Sequence, residues 1–422
     1  MNKFSHSKDT AISRGIKTVG IGRRGSKPLD PQLIEDILAE IKSGTVPAIA
    51  KGAFFGALIL KGITAEEHKI ADAFVPGTLN DPQLLTEALA GESPHFVKAI
   101  CTRLFNGETL AKEEAEQLGD FLFSEQPGEG ARGIVASILR VRYETPDEYE
   151  GLLTSMQKTI SGPFLTSVPK GTPIVQISEP FDGVDHSNLI TPLIAHFIQH
   201  LNYRVVSLVG RNSGPKFGNN LLDLARSLKG SFLTKTEDLA NENPVFGWYL
   251  NQQDLSKEID RWVERRQQTI KRPFLSTLER FINPLNAHIM IASAFHPPYG
   301  EKMITICERA GYPGAIIVRN GLEGTLAFPL MRAAKILCSA RQNDGSYKRE
   351  EVIIHPDDHL DQRIKLEEQL KDPSLEKNRE LIETYQKAGQ TSYDLFDARI
   401  KVTCAGLQKA IEWIENNLTD PF

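Results

Sequence analysis

Residues 204 to 218 read Arg-Val-Val-Ser-Leu-Val-Gly-Arg-Asn-Ser-Gly-Pro-Lys-Phe-Gly. An apolar run with high β-propensity leads there into a loop that contains three glycines, one arginine and one lysine. A helix-like stretch from Asn219 to Leu228 follows the loop. This order of strand, glycine-containing loop and helix is how α/β proteins place a phosphate at a helix N-terminus. The stretch therefore predicts an α/β fold with an anion site in this loop.

The same order of elements occurs once more, earlier in the chain. A strand-like run at 172–177 leads into Ser178-Glu-Pro-Phe-Asp-Gly183, and a helix-like stretch begins near Asn188. Two such neighbouring units predict a ligand crevice at the carboxyl ends of parallel strands. Further strands are predicted at 288–293 and 314–318, with helices between them. Alternation of this kind indicates a mostly parallel central sheet with helices on its faces.

The composition is typical of a soluble globular protein, with 40% hydrophobic and 24% charged residues. A chain of 422 residues is long enough for two or more domains. The formal net charge of -5 argues against a nucleic-acid-binding protein, which is usually basic. However, residues 1–28 carry seven Lys and Arg against one acidic residue, and residues 261–280 carry six against two. The overall sign therefore conceals two basic zones.

Cysteine usage and hydropathy predict the compartment. The four cysteines form no Cys-x-x-Cys pair, so the sequence indicates neither a zinc site nor a disulfide framework. The N-terminus lacks the apolar core of a signal peptide, and no apolar run approaches the roughly 18 to 20 residues that span a bilayer. We therefore expect a cytoplasmic protein with no membrane partner.

Residues 29–155 have helical periodicity throughout. Asp30 before Pro31 is typical of a helix start, and Thr64 with Glu67 is typical of a capping box. The pattern of one helical hairpin occurs twice in this region. Three pairs of matched residues share a separation of 81 positions: Leu29 with Leu110, Gly52 with Gly133, and Thr64 with Thr145. The shared separation favours duplication of the hairpin, with chance similarity between two amphipathic hairpins as the alternative.

A small helical domain joined to an α/β domain resembles the anthranilate phosphoribosyltransferase-like family. This is glycosyltransferase family 3, which shares its fold with the type II nucleoside phosphorylases. Three stretches resemble the branch of the family that stands outside tryptophan synthesis: Ile16-Lys-Thr-Val-Gly-Ile-Gly-Arg-Arg-Gly25, Asp182-Gly183 followed by Asn188-Leu-Ile-Thr-Pro192, and Arg272 followed by Thr277-Leu-Glu-Arg280 and Asn283-Pro284. One class of proteins in that branch binds nucleic acids rather than transferring phosphoribosyl groups.

The charge pattern, the internal repeat and the resemblance together predict the domain organisation. We expect a basic N-terminal arm at 1–28, a small all-helical domain with an added hairpin at 29–160, and a larger α/β domain at 161–422. The larger domain has a mostly parallel central sheet and a helical C-terminus. The family forms homodimers through the helical domain, so a homodimer is expected. Either a dimer contact or burial in the core explains one apolar run: Phe54, Phe55, Leu58 and Ile59.

The turn that binds pyrophosphate in this family departs from its pattern here. Gly-Thr-Gly-Gly-Asp-Gly is replaced by Ser178-Glu-Pro-Phe-Asp-Gly183. Pro180 has no N–H to donate, and Phe181 is bulky where the backbone must approach the ligand closely. Glu179 would face the phosphates with like charge, which is repulsive.

Two further family motifs are altered. Lys-His-Gly-Asn reads Leu208-Val-Gly-Arg211, in which Gly210 remains and Arg211 could partly replace the lost charge. The Asp-Glu pair that holds magnesium should follow Gly321-Leu-Glu-Gly324, where Leu326 and Ala327 stand instead. Glu323 is retained alone.

Phosphoribosyl transfer expels pyrophosphate, whose charge magnesium and cations must neutralise. We therefore predict a degraded phosphoribosyl-pyrophosphate and magnesium site, with no metal or cofactor. The expected ligand is a polyanion, either nucleic acid or a phosphorylated metabolite. The alternative is an active glycosyl- or phosphoribosyltransferase, or a phosphorylase, of altered specificity, and only this alternative involves magnesium. The predicted phosphate- or ligand-binding residues are Asp182, Gly183, Asn188, Thr191, Gly210, Arg211, Lys216 and Gly218.

A basic patch comprises five residues: Arg261, Arg265, Arg266, Lys271 and Arg272. Arg261 and Arg265 would share one face of a helix. Three interpretations stay open for the patch. It is a solvated helix face, or Arg265 and Arg266 contact an aromatic acid as in the tryptophan enzymes, or the patch meets the phosphates of a nucleic acid.

Overall fold

The computed structural model describes residues 9–22, 25–169, 171, 173–214, 216–295, 298–365 and 374–419. Residues 1–8, Arg23 and Arg24 of the predicted basic arm lie outside these ranges. The chain divides into two compact units. The first consists of Met1–Lys158, Ser213–Pro215 and Arg261–Leu278, and the second of Thr159–Asn212, Lys216–Asp260 and Glu279–Phe422.

The first unit consists of helices. Its first eight are α1 (Ala11–Val19), α2 (Pro31–Lys42), α3 (Ala48–Lys61), α4 (Pro82–Ala90), α5 (His95–Phe105), α6 (Lys112–Leu122), α7 (Glu129–Arg142) and α8 (Pro146–Lys158). Helix α2 begins as predicted, because the Asp30 side chain accepts a hydrogen bond from the Leu33 amide. Helix α1 lies within the range predicted as an arm, and it buries Ile12, Ile16 and Val19.

The two matched hairpins are held by the same contacts. In the first, the Glu67 carboxylate accepts from the amides of Leu29 at 2.9 Å and Thr64 at 2.8 Å. In the second, the Glu148 carboxylate accepts from the amides of Leu110 at 3.0 Å and Thr145 at 2.8 Å. Each glutamate also pairs with the last cation of the preceding helix, Lys61 and Arg142 respectively. Each residue that makes a contact in the second hairpin lies 81 positions after the residue that makes the same contact in the first. This agreement supports duplication over chance similarity.

The apolar run of α3 belongs to the core of the first unit. Phe54, Phe55 and Leu58 are each fully buried. The rings of Phe54 and Phe55 pack edge to face, and Phe55 packs in the same way on Phe74. Of the two interpretations of this run, the structure supports core burial.

The second unit is built on an eight-stranded sheet. The strands are β1 (Ile174–Ser178), β2 (Arg204–Val209), β3 (Ser231–Phe232), β4 (Trp248–Asn251), β5 (Ile289–Ser293), β6 (Gly314–Val318), β7 (Ala334–Arg341) and β8 (Tyr347–Ile354). Their order is β3-β4-β2-β1-β5-β6-β7-β8. The first six strands in this order pair in parallel, and β7 and β8 are antiparallel. The predicted mostly parallel sheet is confirmed.

The remaining helices follow the same chain order. They are α9 (Thr191–Gln199), α10 (Leu221–Ser227), α11 (Gln252–Leu255), α12 (Lys257–Asp260), α13 (Trp262–Thr269), α14 (Leu275–Leu278), α15 (Pro298–Arg309), α16 (Leu375–Ala388) and α17 (Asp394–Asn417). Helices α13 and α14 belong to the first unit. In the second unit, α9 packs on β2, α15 on β6 and α17 on β7. No helix among the described ranges is both long and apolar enough to span a membrane.

Candidate functional site

The candidate site of the second unit is formed by loops that follow parallel strands. Loop 179–190 follows β1, segments 210–212 and 216–220 follow β2, and loop 319–333 follows β6. The carboxyl ends of parallel strands share one edge of a sheet, and ligands of open α/β folds bind there. The two loops predicted to form the crevice therefore lie together, and a third joins them.

The first two loops are joined by backbone hydrogen bonds. The amides and carbonyls of Val184 and Asn219 exchange two bonds of 2.9 Å. The Gly218 amide donates to the Asp182 carbonyl at 3.1 Å. The Asn220 side chain donates to the carbonyls of Phe181 and Gly210, at 3.1 and 3.0 Å. These contacts hold both loops in one arrangement.

The glycines of the predicted cradle serve this packing. A Cβ atom on Gly210 would lie 2.5 Å from the ring of Phe181, and one on Gly218 would lie 2.5 Å from the Val184 carbonyl oxygen. Gly183 has φ +75, a backbone conformation that favours glycine. Phe181 and Val184 occupy the space that close phosphate approach would need at Gly210 and Gly218. The glycines are therefore explained by contact between two loops.

Glu179 was expected to face the phosphates with its charge, but the structure buries it instead. It is 2% exposed, and its Oε1 accepts from the Leu326 amide at 2.8 Å. Burial raises the pKa of Glu179, while the Leu326 amide, the Thr191 side chain and the charge of Arg280 oppose the rise. The neutral acid is favoured by this surrounding.

Three of the predicted ligand-binding residues are enclosed as well. Asp182 is 2% exposed, Asn188 is 3% exposed and Thr191, the first residue of α9, is 0% exposed. These side chains lie within the packed base of the loops. Among the described residues, Asp185 and His186 are exposed at the surface of the site, and Lys216 is half-buried.

Three hydrogen-bond donors hold the Glu323 carboxylate. Its Oε2 accepts from the Asp185 amide at 2.9 Å and from the Lys216 ammonium at 3.0 Å, and its Oε1 accepts from the His186 amide at 2.7 Å. Burial acts to raise the pKa of Glu323, but these three donors and the Ser187 side chain outweigh it and lower that pKa. Glu323 also has φ +50, an uncommon conformation for a residue with a Cβ. The motif Gly321-Leu-Glu-Gly324 was the only feature of the sequence that pointed to Glu323, and it did not predict which groups Glu323 contacts.

Arg211 is paired within the second unit. Its Nε lies 2.9 Å from Oδ1 of Asp260, and its Nη2 lies 2.6 Å from Oδ2. The Nη2 also donates to the Asp260 carbonyl at 3.1 Å. This two-pronged pair neutralises the cation that was expected to replace the lost lysine. Asp260 lies in a polar stretch, and no sequence signal linked it to Arg211.

The residues present do not fit a magnesium ion of the kind the fold family uses. Magnesium takes oxygen ligands, above all ionised carboxylates. Leu326 and Ala327 are apolar and fully buried, Glu179 is buried where the neutral acid is favoured, and Glu323 is already bound to two amides and a lysine. Within the described ranges, no three His, Cys, Asp or Glu side chains group as a metal site.

The basic patch of the first unit is largely neutralised or buried. Arg261 pairs with Glu125 at 2.6 Å, and Arg265 pairs with Glu129 at 2.8 Å while lying over the Trp262 ring. Arg266 is only 3% exposed. Arg272 is half-buried. The patch therefore comprises an exposed ion pair at Arg261, a partly buried pair at Arg265 and a buried Arg266.

Lys271 is the only lysine of the patch, and its amine is buried. Its Nζ is buried without a hydrogen-bond partner among the described residues, beside a small cavity lined by Ser137, Arg140 and Thr269. Burial, and then the charge of Arg140, lower the pKa of Lys271 to about 7. The folded first unit therefore disfavours the charged form of this amine.

Replacing Lys271 with methionine is expected to stabilise the protein, and more at pH 6 than at pH 9. In the unfolded chain the lysine keeps its ordinary pKa, so the unfolded state binds more protons and stability rises with pH from about 7 upward. Methionine keeps the apolar stem and removes the charge. We expect a gain of about 2 kcal/mol at pH 6 in urea unfolding. The exposed Lys257→Met is the control, and an equal gain at both pH values would contradict this account.

Comparisons with known proteins agree with the fold. No family model matches the chain. Anthranilate phosphoribosyltransferase from Thermus thermophilus is similar with a TM-score of 0.58 and 19% identity, covering 76% of this chain and 90% of that chain. The Saccharomyces cerevisiae enzyme in complex with PRPP and Mg is similar with a TM-score of 0.53 and 10% identity, covering 76% and 98%. The chain therefore has an anthranilate phosphoribosyltransferase-like fold, as predicted.

One curated relative is also similar in sequence. It is an uncharacterized protein from Aquifex aeolicus, 20% identical over 307 residues, which are 73% of this chain and 91% of that protein. Identities at this level establish similarity of fold and leave the chemistry to be argued from the site.

Proposed function

We propose that this protein binds a phosphorylated metabolite at the Glu323 cluster and does not transfer phosphoribosyl groups. The cluster consists of the Asp185 and His186 amides, the Lys216 ammonium and the Glu323 carboxylate. Transfer would need several groups to neutralise departing pyrophosphate, and losing one such group typically costs about 2.7 to 4 kcal/mol of transition-state stabilisation. The burial of Glu179, which raises its pKa, and the pairing of Arg211 with Asp260 argue against that chemistry.

The observation that carries the proposal is the set of donors around one carboxylate. Two consecutive backbone amides and one lysine converge on Glu323. Consecutive amides with a nearby cation form the type of concavity in which proteins bind phosphate oxygens. The Glu323 carboxylate occupies this concavity as an internal anion, and a phosphate group would take its place.

A small phosphorylated ligand is favoured over a nucleic acid. Nucleic acids bind through many exposed cations, whose counterion exchange supplies most of the affinity. Here Arg211, Arg261 and Arg265 are paired with acids, and the chain carries a net charge of -5. One phosphate group needs only the donors that Glu323 now occupies. The four cysteines are free and buried, so we further expect the protein to work in the reducing cytoplasm.

Replacing Glu323 with glutamine is expected to strengthen phosphate binding about tenfold, which corresponds to about 1.4 kcal/mol. The change removes the competing negative charge and leaves the three donors in place. Inorganic phosphate and ribose 5-phosphate are titrated by calorimetry into the full chain, its Glu323→Gln variant and a Glu237→Gln control, whose carboxylate is exposed elsewhere. Lys216→Gln should weaken binding, with the exposed Lys257→Gln as its control.

Equal phosphate affinity in the parent chain, Glu323→Gln and Lys216→Gln would refute a ligand site at the cluster. Two further titrations test the two alternatives, an active transferase and a nucleic-acid-binding protein. Tight, magnesium-dependent binding of phosphoribosyl pyrophosphate would favour an active transferase. Binding of a labelled oligonucleotide that weakens steeply with salt would favour nucleic acid as the ligand.

A further inference from the structure

The central helices of the two matched hairpins, α3 and α7, cross at backbone contact. A Cβ atom on Gly52 would overlap the carbonyl oxygen of Gly130, and one on Gly133 would overlap the carbonyl oxygen of Ile49. Only glycine permits helices to approach this closely. The contact therefore depends on one glycine from each hairpin.

The two glycine contacts are exchanged by the repeat itself. Gly133 is the counterpart of Gly52, and Gly130 is the counterpart of Ile49, each at a separation of 81 positions. The neighbouring contacts obey the same exchange. The Cβ position of Gly52 lies 3.0 Å from the Ile134 amide nitrogen, and that of Gly133 lies 2.8 Å from the Ala53 amide nitrogen.

This pattern is the signature of a two-fold interface. When two identical subunits associate about a two-fold axis, residue i of one contacts residue j of the other, and j contacts i in return. Here positions 52 and 49 of the repeat contact each other in both directions, between two copies within one chain. Packing of unrelated helices gives no reason for such reciprocity.

The face used in this contact is closed. Ile49, Ala53 and Ile134 are 2%, 1% and 0% exposed, and Gly52 and Gly133 are buried as well. A second molecule therefore finds no part of this surface accessible. Within this chain, the second hairpin already covers the face of the first hairpin that a second copy could use.

We propose that the first unit is an internal pseudo-dimer of helical hairpins, and that the chain is consequently a monomer. The duplicated hairpin supplies in cis a face that a chain with one hairpin would obtain from a second copy. Each molecule then carries a single α/β unit. The proposal is independent of what the second unit binds.

Sedimentation equilibrium of the full chain tests the proposal over a wide range of protein concentration. We expect a single species of 46.9 kDa. We also expect a melting temperature that does not change with concentration, because an intramolecular interface has no mass-action term. A species of twice that mass, or a melting temperature that rises with concentration, would overturn the proposal.

A monomer could also arise without the α3–α7 contact, so a mild variant tests that contact directly. Gly133→Ala weakens the α3–α7 crossing, and Gly162→Ala, where no atom lies within 4 Å of the added Cβ, is the control. The proposal requires Gly133→Ala to melt several degrees lower at unchanged mass and at every concentration. Melting like the control would show that the crossing does not hold the unit together, which would also overturn the proposal.

Discussion

Replacing Gly133 with leucine is expected to destabilise the protein by about 4 kcal/mol or more, enough to leave the first unit unfolded in part of the population. The new Cβ atom would overlap the Ile49 carbonyl oxygen and approach the Ala53 amide within 2.8 Å. Both neighbours are backbone atoms of α3, so no side-chain rotation relieves the overlap. The helices must separate, and the buried contacts of Phe54 and Phe55 loosen with them.

Urea unfolding followed by far-ultraviolet circular dichroism measures this effect. Gly162→Leu is the matched control, because no atom lies within 4 Å of its added Cβ, and we expect it to change stability by about 0.5 kcal/mol or less. Gly52→Leu should behave like Gly133→Leu, since the two positions make reciprocal contacts. A cost below about 1 kcal/mol for Gly133→Leu would show that the two backbones do not meet in solution.

The parts of the fold that could be predicted from sequence are those in which burial leaves a pattern. Strands β1, β5 and β6 are buried at every residue, so each appears as a mostly apolar run. The duplication was visible because both hairpins depend on the same buried glutamate and the same close-packed glycine. Identical constraints retained identical residues at a fixed separation of 81 positions.

Other elements leave no such pattern. No strand was predicted between residues 210 and 287, but β4 lies there as an internal strand of only four residues. Strand β8 is largely exposed over its first half and includes Lys348, Arg349 and Glu350, so it resembles a charged loop in sequence. Both strands are fixed by their pairing with neighbours, which a single sequence does not report.

The candidate site also has features that could be predicted from the sequence and features that could not. The sequence placed two glycine-containing loops side by side, yet it could not tell whether glycine permits the approach of a ligand or of another loop. Phe181 against Gly210 shows that it is another loop. The carboxylates that pair with Arg211 and Lys216 could not be predicted from the sequence, for a different reason. Lys216 meets a carboxylate 107 positions away, a separation at which only the folded topology decides contact.

Replacing Arg211 with glutamine is expected to cost about 3 kcal/mol of folding free energy at neutral pH, because it leaves the Asp260 carboxylate buried without its cation. The Asp260 side chain is 7% exposed and that of Arg211 is 23% exposed, so water replaces the lost contact only in part. The double variant Arg211→Gln, Asp260→Asn should recover much of the loss, since it removes both charges. Arg226→Gln is the control, because its pair with Asp223 is half exposed and 4.0 Å long, and such pairs contribute little. If Arg211 were instead a ligand contact, its replacement would weaken phosphate binding while leaving urea unfolding unchanged.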